Sequence, residues 1–314
     1  MIHVLLFLWV VCALFIIRQQ KVARIIICFC VFSMISSVCF LILGAPDVAM
    51  AEGAIGAFIT IFFIICFEKY YAIVPAGSIA RQNTLESFLS IKKYIAPLLF
   101  TIFLFGLFVY FIPDTAANTY LKHQYLSMFA HDIGGRNSVT AIYLGYRVYD
   151  TLLEALILLI GAIAVCHLSS HSETVAAGGH GGPLKYSKAI LIVRIIAPLL
   201  LLFGIYLVIN GYRSPGGGFQ GGVLIAAFFV CRYTIHELYD IPIANVISVK
   251  KLVFVFLTLL AVFVVFLGFS SYFPPAHKSI FQNIYLITMN ALIGIKVACG
   301  FVILFYRYIA IERR

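Results

Sequence analysis

Apolar residues fill this chain in nine blocks, approximately 2–17, 24–43, 48–67, 95–112, 148–167, 189–209, 219–236, 252–273 and 281–306. Blocks of about 17 to 25 residues match the length of helix that crosses a hydrocarbon core. They are apolar on every face, whereas barrel strands would be shorter and would alternate. A backbone in lipid must satisfy its own hydrogen bonds, so each block predicts a helix. The expected fold is all-α, a polytopic membrane helix bundle of about nine transmembrane helices.

Two longer connections divide the blocks into groups of three, two and four. Residues 68–94 are mixed in charge, and residues 168–186 (LSSHSETVAAGGHGGPLKY) are polar and glycine-rich, as a flexible linker is. The expected domains are a three-helix segment at 1–74, a two-helix segment with its linker at 75–180, and a four-helix domain at 181–314. The first block has no basic region before it and no small-residue cleavage site, so it reads as the first helix rather than a removable signal.

Composition agrees with this reading. Hydrophobic residues make up 63% of the chain and charged ones 11%, against roughly 25% charged in soluble domains. The net charge is +10, but no basic cluster is interleaved with exposed aromatics, which argues against a nucleic-acid partner. Lys and Arg instead fall between the blocks. With the N-terminus outside, sixteen of them lie on the inner side, Lys250 and Lys251 included, and five on the outer side. That asymmetry predicts an external N-terminus and a cytoplasmic C-terminus. The eight cysteines lie within or beside apolar blocks without a CxxC motif and read as packing residues. His167, His171 and His180 lie at a glycine-rich tether, which lacks the fixed geometry of a metal site. Neither a metal nor a cofactor is expected.

Polar residues inside the blocks are the candidates for function. Lys296 is thirteenth in the 23-residue apolar run from Ile284 to Tyr306. It sits roughly 15 Å from either end, too far for its side chain to reach an interface. It therefore predicts a buried polar partner or water, in a pathway or at an assembly seam. Arg147, Asp150 and Glu154 lie within about 60° on one helix face, as a relay or an interfacial ion-pair ladder. In GAPDVAMAEGAIGA (44–57), Ala45, Ala49, Gly53 and Ala57 form a small-residue stripe. Glu52 lies beside that stripe within the span. Asp47 reads as a helix-start cap. In GYRSPGGGFQGG (211–222), residues Pro215, Gly216, Gly217, Gly218, Gln220, Gly221 and Gly222 predict a tight turn packed against a neighbour. The motif does not fit a nucleotide-binding loop.

Residues 189–314, through SPGGGFQGG and NALIGIKVACG, resemble the MnhB subunit of the Mrp-type multisubunit cation/proton antiporters. Residues 1–70, through APDVAMAEGAIGA, resemble a small segment at the C-terminal end of the large Mrp subunit, which also occurs as a separate subunit of membrane-bound hydrogenases. Residues 95–167, through NSVTAIYLGYRVYDTLLE, resemble the segment that follows it. The resemblance implies a non-enzymatic membrane subunit of a complex exchanging Na⁺ or K⁺ for H⁺ in a bacterial or archaeal cell membrane. Its partners would be large complex I-like antiporter subunits and other small subunits. The resemblance also implies that Glu52, Asp150, Glu154 and Lys296 match polar positions on the ion pathway. Two other readings stand beside it: an equivalent subunit of an ion-pumping hydrogenase or related respiratory complex, and a purely structural scaffold.

Overall fold

The computed structural model describes residues 2–71, 99–107, 115–171, 187–235, 243–267 and 278–310. All regular structure among them is helical. The elements are α1 (Ile2–Arg18), α2 (Val22–Ile42), α3 (Pro46–Tyr71), α4 (Thr115–Asp132), α5 (Ser138–Ala141), a π-helical segment (Ile142–Tyr146), α6 (Val148–His171), α7 (Ser187–Asn210), α8 (Gly218–Ile235), α9 (Ile243–Leu267) and α10 (Lys278–Ala310). Residues 99–107 are also helical.

Among the described residues, six helices contain stretches long and apolar enough to cross a membrane: Val22–Ile42, Pro46–Ile64, Val148–His167, Val193–Asn210, Asn245–Val265 and Ser279–Arg307. Two shorter apolar helices are Ile2–Arg18 and Gly218–Tyr233. These eight fall on eight of the nine apolar blocks. Half of the remaining block, 95–112, lies outside the described residues, as do most of both connections. Helix α4 occupies what the sequence reads as an outer connection, and its polar sequence TAANTYLKHQYLSMFAHD keeps it from being a span.

The chain forms two compact units, Met1–Tyr71 with Phe129–Arg314, and Ala72–Met128. In the larger unit α8 is central, packed against α7, α10 and α3. Its inward residues Val223, Ala226, Ala227 and Val230 are fully buried. Glycines set the closeness of these contacts. A Cβ on Gly221 would lie 2.5 Å from the Gly204 carbonyl oxygen of α7, and one on Gly222 would lie 2.6 Å from the Gly294 carbonyl oxygen of α10. Backbone thus meets backbone, the arrangement small residues permit between helices in lipid. Helix α3 packs on α8 and α6 packs on α10. Ala54 and Phe58, Leu144 and Ala155, and Leu207 and Val223 consequently share one core.

Outside that core the surface is apolar. Phe7 and Leu14 of α1, Leu199 and Leu202 of α7, and Leu252 and Leu259 of α9 are all exposed. Apolar surface this extensive suits lipid rather than water. The interior in turn holds Asp47, Asn137, Thr140, Lys250, Gln282, Asn290 and Lys296. Polar groups buried in that setting need internal partners, and those partners define the site.

Candidate functional site

The glycine-rich loop between α7 and α8 is built around Asp47. Gly216 adopts φ +140°, a conformation side chains rarely tolerate, and its amide donates to Asp47 Oδ1 at 3.1 Å. Asn137 Nδ2 donates to the same oxygen at 2.9 Å and to the carbonyls of Gly211 and Ser214 at 3.1 Å each. Thr140 Oγ1 adds a 2.7 Å bond to the Gly211 carbonyl. Asn137 also caps α5 through Oδ1, which accepts from Val139. The Asp47 carboxylate therefore serves a distant loop rather than the start of its own helix. That corrects the expected capping role.

The π-helical segment closes with an Arg147 amide donating to the Ile142 carbonyl five residues back. The extra residue in this turn shifts side-chain register along the helix. Tyr143 thereby enters the core, where its hydroxyl donates to Asn290 Oδ1 at 2.8 Å. Asn290 Oδ1 also accepts from the Gly218 amide at 3.1 Å. Burial holds the Tyr143 phenol well above the ordinary tyrosine range, so it remains a donor. With both acceptor bonds fixing the amide's orientation, Asn290 Nδ2 is left buried without a partner among the described residues. Tyr146 turns the other way and donates to Asp132 Oδ2 at 2.8 Å, while His131 Nδ1 bonds Asp132 Oδ1 at 2.9 Å.

The expected pathway residues occupy distinct places. Glu52 Oε1 accepts from Ser33 Oγ at 3.0 Å on the α2–α3 seam, where Ser37 also donates to the Ala49 carbonyl at 2.7 Å. Gly56, rather than Ala57, is the buried small residue facing Ser33. Asp150 pairs with Arg147, and their side chains are 54% and 63% exposed. Glu154 is likewise exposed, on the outer face of α6.

Lys296 is 1% exposed. Its ammonium lies 3.7 Å from the centre of the Phe254 ring and has no hydrogen-bond partner among the described residues. The expected polar partner is thus replaced by the face of an aromatic ring. Of the loop residues, Gln220 donates to the Asp47 carbonyl at 3.4 Å. Gly217 and Gly218 leave the space that Tyr143 and Asn290 fill. Pro215 lies exposed at the turn.

Lys250 is the principal residue that sequence reasoning misplaces. Counted there as an inner loop charge, it is instead 1% exposed inside α9, and its Nζ donates to the Leu158 carbonyl of α6 at 2.9 Å. Its position before the apolar block at 252–273, beside the exposed Lys251, gives it the look of a loop residue.

Comparison with known proteins agrees with this architecture. Residues 189–309 match the family described as a domain related to the MnhB subunit of Na⁺/H⁺ antiporter. Residues 7–70 match the MbhD family, a subunit of MBH. The Staphylococcus haemolyticus protein named "Putative antiporter subunit mnhB2" is 32% identical over 64 residues, covering 20% of this chain and 45% of that protein. The chain spans less than half the length of the curated relatives it matches, 42%, 45% and 14% for three of them. The fold also matches the structure of the Mrp complex from a Dietzia species, with TM-score 0.62 and 18% identity over 95% of this chain and 34% of that one. A second match is an archaeal respiratory complex, the membrane-bound sulfane sulfur reductase. There the TM-score is 0.52 and the identity 24%, over 69% of this chain and 97% of that one. The chain is accordingly a multi-pass membrane protein in which an MbhD-like segment is joined to an MnhB-like domain.

Proposed function

We propose that this chain is a non-enzymatic subunit of an Mrp-type Na⁺ (or K⁺)/H⁺ antiporter and forms part of its ion and proton pathway. The observation that carries the proposal is Lys296: a cation buried in a membrane span, without a hydrogen-bonding partner among the described residues. A charge held there is expensive and marks a route or a partner. The MnhB-related match over the helix that bears it supports the antiporter setting.

The exposed Glu154 and the Arg147–Asp150 pair fit the same reading. Carboxylates on the outer face of a membrane helix call for a neighbouring subunit, here the large complex I-like antiporter subunits and other small ones. The full arrangement would have nine spans, an external N-terminus and a cytoplasmic C-terminus.

Everted vesicles containing the whole complex test this reading. Lys296→Met should remove cation-driven proton exchange while the complex still assembles. Unchanged exchange, or failed assembly as the sole defect, would leave only the scaffold role.

The MbhD match over residues 7–70 favours one further reading, an equivalent subunit of an ion-pumping hydrogenase or related respiratory complex. Purification in mild detergent separates the two: iron–sulfur partners would identify the redox complex.

A further inference from the structure

Helices α9 and α10 exchange lysines. Lys250 of α9 reaches toward Gly300 of α10, where a Cβ would lie 3.1 Å from Nζ. Lys296 of α10 reaches back over Phe254 of α9 at 3.7 Å. Phe254 follows Lys250 by four residues, and Gly300 follows Lys296 by four. The two contacts therefore stack on successive turns, about 6 Å apart in rise. Gly300 is buried, and its missing side chain is what gives the Lys250 ammonium room.

We infer that Lys250 and Lys296 form a two-lysine proton relay, with Lys250 as a further residue of the pathway. The inference rests on the pathway reading above. A lysine kept only for structure would hold its charge against a carboxylate. Among the described residues, the ionisable groups near Lys250 are Cys299 of α10 and Cys166 of α6, and the group near Lys296 is Lys250 itself. None of them is a carboxylate. An ammonium carries three donors and no acceptor. Among the described residues the pair finds one carbonyl, that of Leu158, and one aromatic face. Two ammonium groups on adjacent turns repel each other, which disfavours both being charged at once.

The unprotonated amine then has a lone pair to accept what its neighbour gives up. One N–H bond breaks as another forms across a bridging water, and nothing is oxidised. Leu158 lies four residues beyond Glu154 on α6, so the carbonyl that holds Lys250 and the exposed carboxylate belong to one helix.

The test uses everted vesicles holding the whole complex, with assembly measured for each variant. Lys250→Met should assemble and lose exchange by about tenfold or more. Lys250→Arg, which keeps its charge but does not release a proton, should assemble and stay equally inactive. The relay is overturned if Lys250→Met exchanges at the normal rate, if Lys250→Arg works within about twofold of the unmodified complex, or if neither variant assembles. Should Lys296→Met also retain exchange, the pathway reading itself fails. Loss with Lys296→Met but not with Lys250→Met removes the relay alone.

Discussion

Asp47 Oδ1 accepts the amide hydrogen of Gly216 across 169 residues of sequence, so the start of α3 completes the turn that leads into α8. The same oxygen holds Asn137, and one carboxylate joins the MbhD-like segment, the α5 entrance and the MnhB-like domain. Asp47→Ala strands the buried Gly216 amide, at a cost of about 1–3 kcal/mol, and removes one of the three acceptors of Asn137 Nδ2. The variant should lower the thermal unfolding midpoint of the purified complex in detergent. Asp47→Asn keeps an acceptor oxygen and should lower it less. Equal midpoints for Asp47→Ala and the unmodified protein would show that the carboxylate does not hold the loop.

Gly218 and Gly161 make a matched pair for the packing argument. A Cβ on Gly218 would lie 2.4 Å from the Asn290 carbonyl oxygen, whereas nothing lies within 4 Å of one on Gly161. Gly218→Ala should force α8 from α10 and cost about 1–3 kcal/mol. Gly161→Ala should be neutral, or stabilising by about 0.5–1 kcal/mol. Thermal unfolding of the two variants side by side checks the order, and the reverse order would refute it.

Glu154 and Asp150 should differ in transport. Asp150 already has Arg147 as its counter-ion, while Glu154 lies about 6 Å further along the helix by rise. Glu154→Gln should abolish exchange in everted vesicles with the complex assembled, and Asp150→Asn should weaken it less. Normal transport by Glu154→Gln would take that residue out of the pathway.

Orientation is checked by reporter fusion. Alkaline phosphatase placed after Arg314 should be inactive, and the same reporter within 115–135 should be active. The opposite pattern would invert the topology. Burial of Lys250 removes one residue from the inner set, and the remaining fifteen still outweigh five.

The helices are legible in the sequence because each apolar block carries its own signal, and no distant residue is needed to read it. Lys296 is legible for the same reason, since its distance from both ends of one block marks it. Its aromatic partner is not, because Phe254 belongs to another helix. Lys250 looks like a loop charge until α10 is packed beside it. The Asp47 cluster is equally hidden: a carboxylate two positions into a helix suggests a cap, and its true partners are 90 and 169 residues away. The π-helical turn leaves no periodic trace at all, yet it sends Tyr143 to Asn290 and Tyr146 to Asp132.

Gly204 and Gly221 touch through their backbones, and this fixes what variation the bundle can absorb. Where side chains separate two helices, a larger residue on one can be offset by a smaller one opposite, and the seam drifts with its sequence. Here neither position has anything left to shrink. The α7–α8 spacing is therefore a fixed datum, and the helices around it can change their lipid-facing residues freely without moving the turn that Asp47 holds.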